Sequence, residues 1–448
     1  MSSSNQLEIG SRAHENNLAA VSAVDSTRKK TADLHKTAKV LKESTALLRN
    51  PARIFPLVRK VVSDAICIRF DHRHLYSYTK TSRDSGDTLD LLSRWILQAQ
   101  HPDGGIAAYY SLLSGYSASY PEVTGYIVPT LYDHAQQIPD DGFANETIAA
   151  AERATDWLLS LQMSNGAFPA GLHGAAGEAS IFNTGQILQG LIRAHAETER
   201  REILRSAILA ADYLIGVQQP DGSWSGNGAY QTTAHTYYSM VAWPLALLSL
   251  ETADPRYARA AEKNLDWVLS QFQPNGWIEG INLHGHPNYL HFIAYALQGA
   301  LECGVLLQRN DAIGAVANSA WVLLRRFETT KSLCGAYQAN FNNGRRFTCL
   351  TGNAQISCVW LCLFEITADL RYLNAALKMN EMLKQLISTR GAQGISGGVS
   401  GSYPVWGPYQ PLRYISWGCK FFADTLLREQ RIKRSFESSA AEALPCAS

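Results

Sequence analysis

The sequence predicts an all-α protein in which six helical hairpins close into a ring, the (α/α)6 barrel or α/α toroid. Two observations support this prediction. A glycine-containing turn follows an apolar helix six times, at intervals of 54 to 61 residues, and a second, more apolar helix follows each turn. Because one such hairpin cannot bury its own apolar faces, the hairpins must stack on their neighbours. The turn glycines are Gly105, Gly166, Gly222, Gly276, Gly335 and Gly394.

The two helices of each repeat differ in pattern. The first carries apolar residues at three- to four-residue spacing, which is typical of an outer helix packed on one side. The first helices are predicted at Thr88–Gln98, Glu146–Gln162, Ile203–Gln218, Tyr257–Phe272, Asp311–Arg326 and Arg371–Ile387. The second is apolar all round, which is typical of an inner helix. The second helices are predicted at Glu122–His134, Ile181–Glu197, Thr232–Leu250, Asn288–Glu302, Gly352–Thr367 and Tyr414–Arg428. An open α-solenoid is the structural alternative, but its repeats are shorter, at about 33 to 47 residues.

Composition restricts the class of protein. The chain has 448 residues, of which 46% are apolar, and its net charge of +1 argues against a nucleic-acid partner. The longest apolar run, Tyr237–Leu250, contains Pro244 and is too short to cross a bilayer. The start of the chain does not read as a secretory signal, and the eight cysteines form no CxxC pair. We therefore expect buried free thiols and a cytoplasmic protein.

The sequence also predicts the domain organisation. Residues 1–86 form an N-terminal arm and helical extension, residues 87–430 form the toroid, and residues 431–448 form a C-terminal tail. The oligomeric state is left open.

Uncharged polar and aromatic residues occupy the first turns of the second helices. In a ring of hairpins the inner helices run parallel, so these turns converge on one mouth, where the helix N-termini favour an anionic group. The alternative is that these side chains only cap their helices. The predicted substrate-binding residues are Tyr120, Asn183, Gln186, Trp224, Tyr230, Trp277, Asn288, Asn353, Gln355, Trp406, Arg413, Trp417 and Lys420.

The mouth is rich in histidine and tyrosine and poor in carboxylates. This balance favours proton abstraction at C5 of a uronate-containing glycan, which gives epimerisation or β-elimination. The expected base is His235 or His291, and the expected opposing acid is Tyr126 or Tyr238. Asn183, Gln186 and Asn353 would hold the carboxylate, and Trp224, Trp277 and Trp406 would stack on sugar rings.

Three other functions stay open. Glu122 and Glu279 complete the set of candidate catalytic residues as the paired carboxylates of a glycoside hydrolase. A non-catalytic glycan-binding or scaffold protein would keep the aromatic residues. A terpenoid-cyclase-like toroid is the third alternative, although the segment Asp84–Asp90 matches neither acidic motif of that class. No cofactor or metal motif is found.

Several stretches together carry a resemblance to a known family. They are Ser119–Tyr126, Phe182–Leu188, Val241–Trp243, His291–Tyr295, Leu350–Gln355, Gly401–Gly407 and Lys420–Phe422. Over roughly Asp87–Glu429 the chain resembles the prenyltransferase-like α/α toroid proteins that accompany bacterial polysaccharide biosynthesis genes. It is more distantly similar to the α/α domains of glucuronyl C5-epimerases and polysaccharide lyases. The resemblance implies a cytoplasmic toroid that acts on a glycan or its precursor, and it transfers no catalytic residue.

Overall fold

The computed structural model describes residues 45, 50–70, 83–175, 177–281, 283, 286–342, 344–389, 391 and 394–442. The chain divides into two compact units, Met1–Leu57 and Val58–Ser448. The described part of the first unit contains a 3-10 turn, Pro51–Arg53, and the start of helix α1, Ile54–Phe70. The predicted arm, residues 1–86, lies largely outside the described residues.

Six helical hairpins form the second unit and confirm the predicted fold. The outer helices are α2 (Ser85–Gln98), α4 (Asp141–Leu161), α6 (Arg201–Gly216), α8 (Pro255–Leu269), α10 (Asn310–Thr330) and α12 (Leu370–Leu386). The inner helices are α3 (Pro121–Ala135), α5 (Ile181–Thr198), α7 (Ser239–Thr252), α9 (Leu290–Leu306), α11 (Leu350–Thr367) and α13 (Ser416–Glu442). Each inner helix packs against the next, and α13 packs against both α3 and α2, which closes the ring.

The connections at the two ends of the barrel differ in length. Inner helices pass to outer helices through tight links, as at Glu199–Arg200, Ala253–Asp254 and Ala368–Asp369, where the first residue is left-handed and the second is extended. The Asp254 and Asp369 side chains then cap the outer helices. Outer helices pass to inner helices through long loops, so all the long loops lie at the end where the inner helices begin.

Short antiparallel strands form within the long loops and between neighbouring ones. The strands are β1 (Tyr109–Ser111), β2 (Gly115–Tyr116), β3 (Phe168–Pro169), β4 (Ala179–Ser180), β5 (Asn288–Tyr289), β6 (Ala336–Tyr337), β7 (Thr348–Cys349), β8 (Ser402–Tyr403) and β9 (Arg413–Ile415). β1 pairs with both β2 and β9, and the other pairs are β3–β4, β5–β6 and β7–β8. The β1–β9 pair joins the first long loop to the last, which closes the ring a second time.

A glutamine in the first three turns ties each outer helix to the next one. Gln218 Nε2 donates to the carbonyl of Gly222 in its own turn (3.1 Å) and to that of Ala260 on α8 (2.9 Å). Gln100 and Gln162 make the same pair of bonds, to carbonyls on α4 and α6 respectively. In the fourth turn Phe272 takes this position, and Asn318 of α10 donates to Pro274 O instead. We call this pair of bonds the glutamine clamp.

Only glycine fits at the turn position of the clamp, for two reasons. Gly222 has a φ of 87°, in the left-handed region, and a Cβ there would lie 2.1 Å from Lys263 O on α8. Gly166 has the same surroundings, with Leu209 O at 2.2 Å. In the first repeat Gly104, and not the predicted Gly105, holds this position, because it lies four residues after Gln100 and has a φ of 99°.

A buried polar network fixes the seam between the first and last helices. Lys384 Nζ of α12 donates to Ser85 Oγ of α2 (2.8 Å), and Ser85 Oγ donates to Glu429 Oε1 of α13 (2.8 Å). Asn380 of α12 donates to the other oxygen of Glu429 (2.7 Å). All four side chains are buried, so these bonds across the seam satisfy polar groups that ring closure removes from water.

The third inner helix begins later than predicted. The expected start at Thr232 is wrong: α7 begins at Ser239, after two 3-10 turns at Tyr230–Thr232 and Thr236–Tyr238. Gln231 and Thr232 have φ values of 53° and 57°, so no right-handed helix can run through them. The first-turn residues of this repeat therefore lie on irregular backbone.

The substitution Gly222→Ala should destabilise the protein far more than Gly226→Ala. Gly226 also has a positive φ (78°), but a Cβ there would meet nothing within 4 Å. We expect Gly226→Ala to cost about 1 kcal/mol from backbone strain alone. Gly222→Ala should cost at least about 2 kcal/mol more, because α8 must move away. Urea denaturation of both variants measures the difference, and equal losses would show that the close approach to α8 is unimportant.

Candidate active site

A cavity of about 550 Å³ lies at the end of the barrel where the inner helices begin. Its wall contains residues from the starts of α3, α5, α9 and α13, and from the turn just before α7. These include Tyr120, Glu122, Asn183, Tyr237, His291, Tyr295 and Trp417. The remaining inner helix, α11, contributes no residue to this wall and lies behind it.

Aromatic rings contributed by helices on different sides of the ring form the floor of the cavity. Tyr126 of α3 and Tyr295 of α9 both pack on Phe421 of α13, with ring centroids 5.6 and 5.5 Å apart. Beyond these rings, Lys420 pairs with Asp424 at 2.5 Å, and Arg428 of α13 pairs with Glu302 of α9 at 2.7 Å. The barrel axis below the floor is therefore filled.

Two carboxyl groups belong to the wall, those of Glu122 and Glu178, and Glu122 is the one on an inner helix. It lies in the first turn of α3, and Tyr120 Oη donates to its Oε2 at 2.5 Å. Burial raises the Glu122 pKa to about 7, and the hydrogen bond from Tyr120 opposes this rise. No Lys or Arg belongs to the cavity wall as described. Glu122 can therefore carry a proton near neutral pH and act as an acid.

Whereas Glu122 can donate a proton, His291 is the group that can accept one. Its Nδ1 lies 2.7 Å from Gln355 Oε1, which can only accept a hydrogen bond, so the hydrogen is assigned to Nδ1. Gln355 Nε2 in turn donates to Gln298 Oε1 (3.3 Å), which sets the amide orientation. Burial lowers the His291 pKa to about 3, so the ring is neutral and Nε2 keeps its lone pair. His291 can therefore act as a base toward a ligand in the cavity.

The tyrosines of the wall stay protonated. Burial raises the pKa values of Tyr126, Tyr237, Tyr295 and Tyr409 well above their usual range, and the nearby charge of Glu122 adds to the effect in all four. The phenols are therefore hydrogen-bond donors and not bases. They give the cavity both apolar rings and hydroxyl groups.

The structure brings seven of the residues predicted from the sequence into this wall. They are Tyr120, Glu122, Tyr126, Asn183, Tyr230, His291 and Trp417. Asn183 donates to Pro169 O (2.8 Å), and Trp417 Nε1 donates to Tyr409 Oη (2.8 Å). Gln355 lies behind the wall and orients His291.

His235 and Tyr238 lie behind the wall and support the loop before α7. His235 Nε2 lies 2.9 Å from Tyr230 O, and its ring stacks on Tyr237 at 4.9 Å. Tyr238 Oη accepts a hydrogen bond from Tyr230 N (2.8 Å). The ring that reaches the cavity is that of Tyr237, because the 3-10 turn at Thr236–Tyr238 changes the direction of successive side chains.

The stacking role expected of Trp224 and Trp277 is wrong, because both side chains are buried, at 0% and 2% exposure. Trp224 Nε1 donates to Leu214 O on the preceding outer helix (2.9 Å), so this ring fills the space within the repeat. Trp406 is 42% exposed and lies outside the cavity wall.

Four polar residues predicted to bind substrate make internal contacts instead. Gln186 donates to Met240 O (3.0 Å), and Asn353 donates to Cys349 O (2.8 Å). Arg413 lies over the Tyr109 ring at 4.2 Å, and Lys420 is paired with Asp424 below the floor. The predicted carboxylate-holding role of Gln186 and Asn353 therefore does not fit their positions.

The predicted carboxylate pair is not brought together in the cavity. Glu279 is exposed and absent from the wall that contains Glu122. Asn288 is also absent from the wall and lies in β5, which pairs with β6. The hydrolase geometry expected of Glu122 and Glu279 is therefore wrong.

Several wall residues were missed at the sequence level. They are Phe182, Gln231, Tyr237, Phe292, Tyr295 and Gln410. Tyr295 could have been found, since it follows His291 by four residues and so shares its helix face. Gln231 and Gln410 lie in irregular loops and carry no periodic signal.

The described residues contain no cluster of three or more His, Cys, Asp or Glu side chains that could hold a metal ion. No helix in the described part of the chain has both the length and the apolarity needed to cross a bilayer.

The sequence profile of the squalene-hopene cyclase C-terminal domain matches residues 77–301, half of the chain. The chain belongs to this family. Among curated relatives, lanosterol synthase erg7A of Aspergillus fumigatus is 25% identical over 256 residues. This match covers 50% of the chain and 32% of the synthase, so the chain spans about a third of that relative's length.

Solved structures with the same fold include carbohydrate enzymes. Unsaturated glucuronyl hydrolase from Bacillus sp. GL1 matches with a TM-score of 0.61 and 15% identity, over 77% of this chain and 96% of the hydrolase. Cellobiose 2-epimerase from Spirochaeta thermophila matches with a TM-score of 0.63 and 15% identity, over 78% and 95% of the two chains. At these identities the similarity shows that the α/α toroid fold is shared.

The substitution Glu122→Gln should stabilise the protein increasingly as pH rises. The folded-state pKa of Glu122 is about 7 and its ordinary value is 4.5, so wild-type stability falls as pH rises between these values. A glutamine side chain does not ionise, so the stability of the variant lacks this pH dependence. We expect the unfolding free energy of the variant to exceed that of the wild type by an amount that grows from about pH 4.5 to 7.

Urea denaturation at half-unit pH steps measures this difference. Glu279→Gln is the control, because its carboxylate is exposed and lies outside the cavity wall. A difference for Glu122→Gln that does not change with pH would contradict the raised pKa.

Proposed function

We propose that the protein is a carbohydrate-active enzyme that transfers a proton at a sugar carbon next to a carbonyl group, and so acts as an epimerase. The observation that carries this proposal is the pairing of a neutral histidine with an acid of raised pKa in one cavity. His291 Nε2 would remove the proton from carbon, and Glu122 would donate a proton to the carbonyl oxygen. The product of these two transfers is an enediol. Rotation about its C2–C3 bond would present the opposite face to the protonated His291, which returns the proton to carbon while Glu122 takes back the proton from oxygen, and this gives the epimer.

The composition of the wall supports a sugar as ligand. Tyr120, Tyr126, Tyr237, Tyr295 and Tyr409 bring phenol hydroxyls into the wall, and Asn183 adds an amide. Tyr120 Oη and Asn183 Nδ2 already donate within the protein, to Glu122 and Pro169 O, but the hydroxyl and amide oxygens keep acceptor sites that sugar hydroxyls can satisfy and a hydrocarbon cannot. A polyhydroxylated ligand satisfies them, while the aromatic rings pack on its apolar faces.

The charge of the wall favours a neutral sugar over a uronate. Glu122 and Glu178 both belong to the wall, and no Lys or Arg is found among its described residues. A buried uronate carboxylate would therefore lack a cationic partner, which is costly. We infer epimerisation next to the aldehyde of a reducing sugar, with reaction at C5 of a uronate as the alternative. The sequence resemblance suggests cytoplasmic polysaccharide biosynthesis as the setting.

A second candidate is a terpenoid-cyclase-like reaction. Family membership favours it, and so does a protonated Glu122 facing aromatic rings, which can stabilise a cation. In that case Glu122 would protonate an alkene and His291 would remove the final proton. Incubation with squalene and with shorter prenyl substrates tests this candidate by mass spectrometry of the products.

The substitution His291→Asn should abolish proton exchange, whereas His235→Asn should not. Wild-type protein incubated with neutral aldoses in deuterated water should place deuterium at C2, as read by NMR. Loss of a general base typically costs about 10²- to 10⁴-fold in rate. His235 is an equally buried histidine outside the cavity wall, so it controls for effects on folding.

Deuterium at C5 of a uronic acid, and not at C2 of an aldose, would support reaction at C5 of a uronate in place of reaction at C2 of a neutral sugar. Absence of deuterium from every sugar, or equal exchange by the His291→Asn variant and the wild type, would overturn the proposed function.

Activity should fall as pH rises through about 7, since Glu122 must be protonated to act as the acid. Tyr120→Phe removes the hydrogen bond that favours the Glu122 carboxylate, so its pKa should rise further. We therefore expect the alkaline limb of kcat/KM to move to higher pH in Tyr120→Phe. A limb that stays in place or moves to lower pH would contradict the assignment of Glu122.

A further inference from the structure

Two glutamines of the cavity wall lie on strained backbone. Gln231 has a φ of 53° and Gln410 a φ of 49°, both in the left-handed region that favours glycine. Both belong to the wall, and they come from different long loops, one before α7 and one before α13. Strain of this kind persists where the surrounding structure enforces it, which is common at ligand-binding sites.

The side chain of Gln410 is held in place. Its Oε1 accepts a hydrogen bond from Arg413 Nη1 at 3.0 Å, and Arg413 lies over the Tyr109 ring at 4.2 Å. The amide NH2 is therefore the group that Gln410 presents to a ligand. Gln231 is more exposed and lies at the entrance, in a turn where Thr232 N donates to Ala229 O (3.0 Å).

The cavity is blind, which fixes how a sugar chain must enter. The floor is the Tyr126, Phe421 and Tyr295 cluster, and ion pairs fill the axis below it. Only a chain end can reach His291 from the mouth. A neutral sugar chain also has its one aldehyde at the reducing end, so geometry and chemistry select the same end.

We propose that Gln231 and Gln410 bind the second sugar of an oligosaccharide whose reducing-end sugar occupies the cavity. This inference rests on the proposed function and adds to it the substrate class, a reducing disaccharide or longer chain. The two glutamines are specificity-determining residues, and His291 and Glu122 remain the reacting groups.

Kinetics with matched pairs of sugars test this proposal. The pairs are glucose with cellobiose, mannose with mannobiose, and N-acetylglucosamine with chitobiose, each followed by deuterium incorporation at C2 of the reducing-end sugar. For the pair that reacts, we expect the disaccharide to have at least about tenfold higher kcat/KM than the monosaccharide, as one or two added hydrogen bonds would give.

The variants Gln231→Gly and Gln410→Gly should each raise KM for the disaccharide about tenfold with kcat within about twofold. Monosaccharide kinetics should not change. Gln308→Gly is the matched control, because Gln308 also has a left-handed φ of 56° but is absent from the cavity wall. Glycine is tolerated at this φ, so all three variants should fold. Gln410→Gly also removes the acceptor of the Arg413 hydrogen bond, so its Tm should be the lowest of the three.

The outcomes separate the two proposals. No deuterium in any sugar overturns the proposed function and this inference with it. Exchange that is equally efficient for monosaccharide and disaccharide, or glutamine variants with unchanged KM, overturns the inference alone. If Gln308→Gly also raises KM, the increase comes from the backbone change and not from loss of a wall side chain, and this result too would overturn the inference.

Discussion

The glutamine clamp is the interaction on which the arrangement of the barrel depends. One amide group spans a turn carbonyl and a carbonyl of the next outer helix, and the glycine beside it allows the two backbones to approach. Repetition of this contact in the first three turns sets the position of each of these hairpins relative to the next. Since every long loop leads from an outer helix to an inner helix at the same end of the barrel, the starts of the inner helices converge and form the cavity. The fourth repeat keeps the contact with a different donor, Asn318.

The fold could be predicted from the sequence because it follows from repetition. The spacing of the turns and the two helix patterns predicted the ring, and polar first turns predicted a site at one end. The details of the site could not be predicted in the same way. His235 and Tyr238 have the right chemistry, but left-handed residues at 231 and 232 delay the start of α7 and turn Tyr237 inward. Trp224 and Trp277 resembled exposed sugar platforms, although burial of a large ring is the commoner use of such residues.

The protonation states of the groups in the cavity depend on the absence of a cationic side chain from the described wall as much as on the groups that are present. Without a cation in the described wall, burial raises the Glu122 pKa to about 7 and lowers the His291 pKa to about 3, so below about pH 7 a protonated carboxyl group and a neutral imidazole coexist without forming an ion pair. The amides of Gln355 and Gln298 orient the histidine without charging it. The same arrangement suits proton transfer on a sugar and protonation of an alkene, so both candidate functions are compatible with this cavity.

The seam network of Ser85, Asn380, Lys384 and Glu429 has a consequence for how the protein is made. The hydrogen bond between Ser85 and Glu429 joins residues 344 positions apart, and the bond between Lys384 and Ser85 joins residues 299 positions apart. During synthesis the earlier hairpins can pack on one another in order, but the ring stays open until α13 has left the ribosome. Until then, the faces of α2 and α11 that pack on α13 are uncovered, so the nascent chain passes through an open state in which apolar surface is exposed to chaperones.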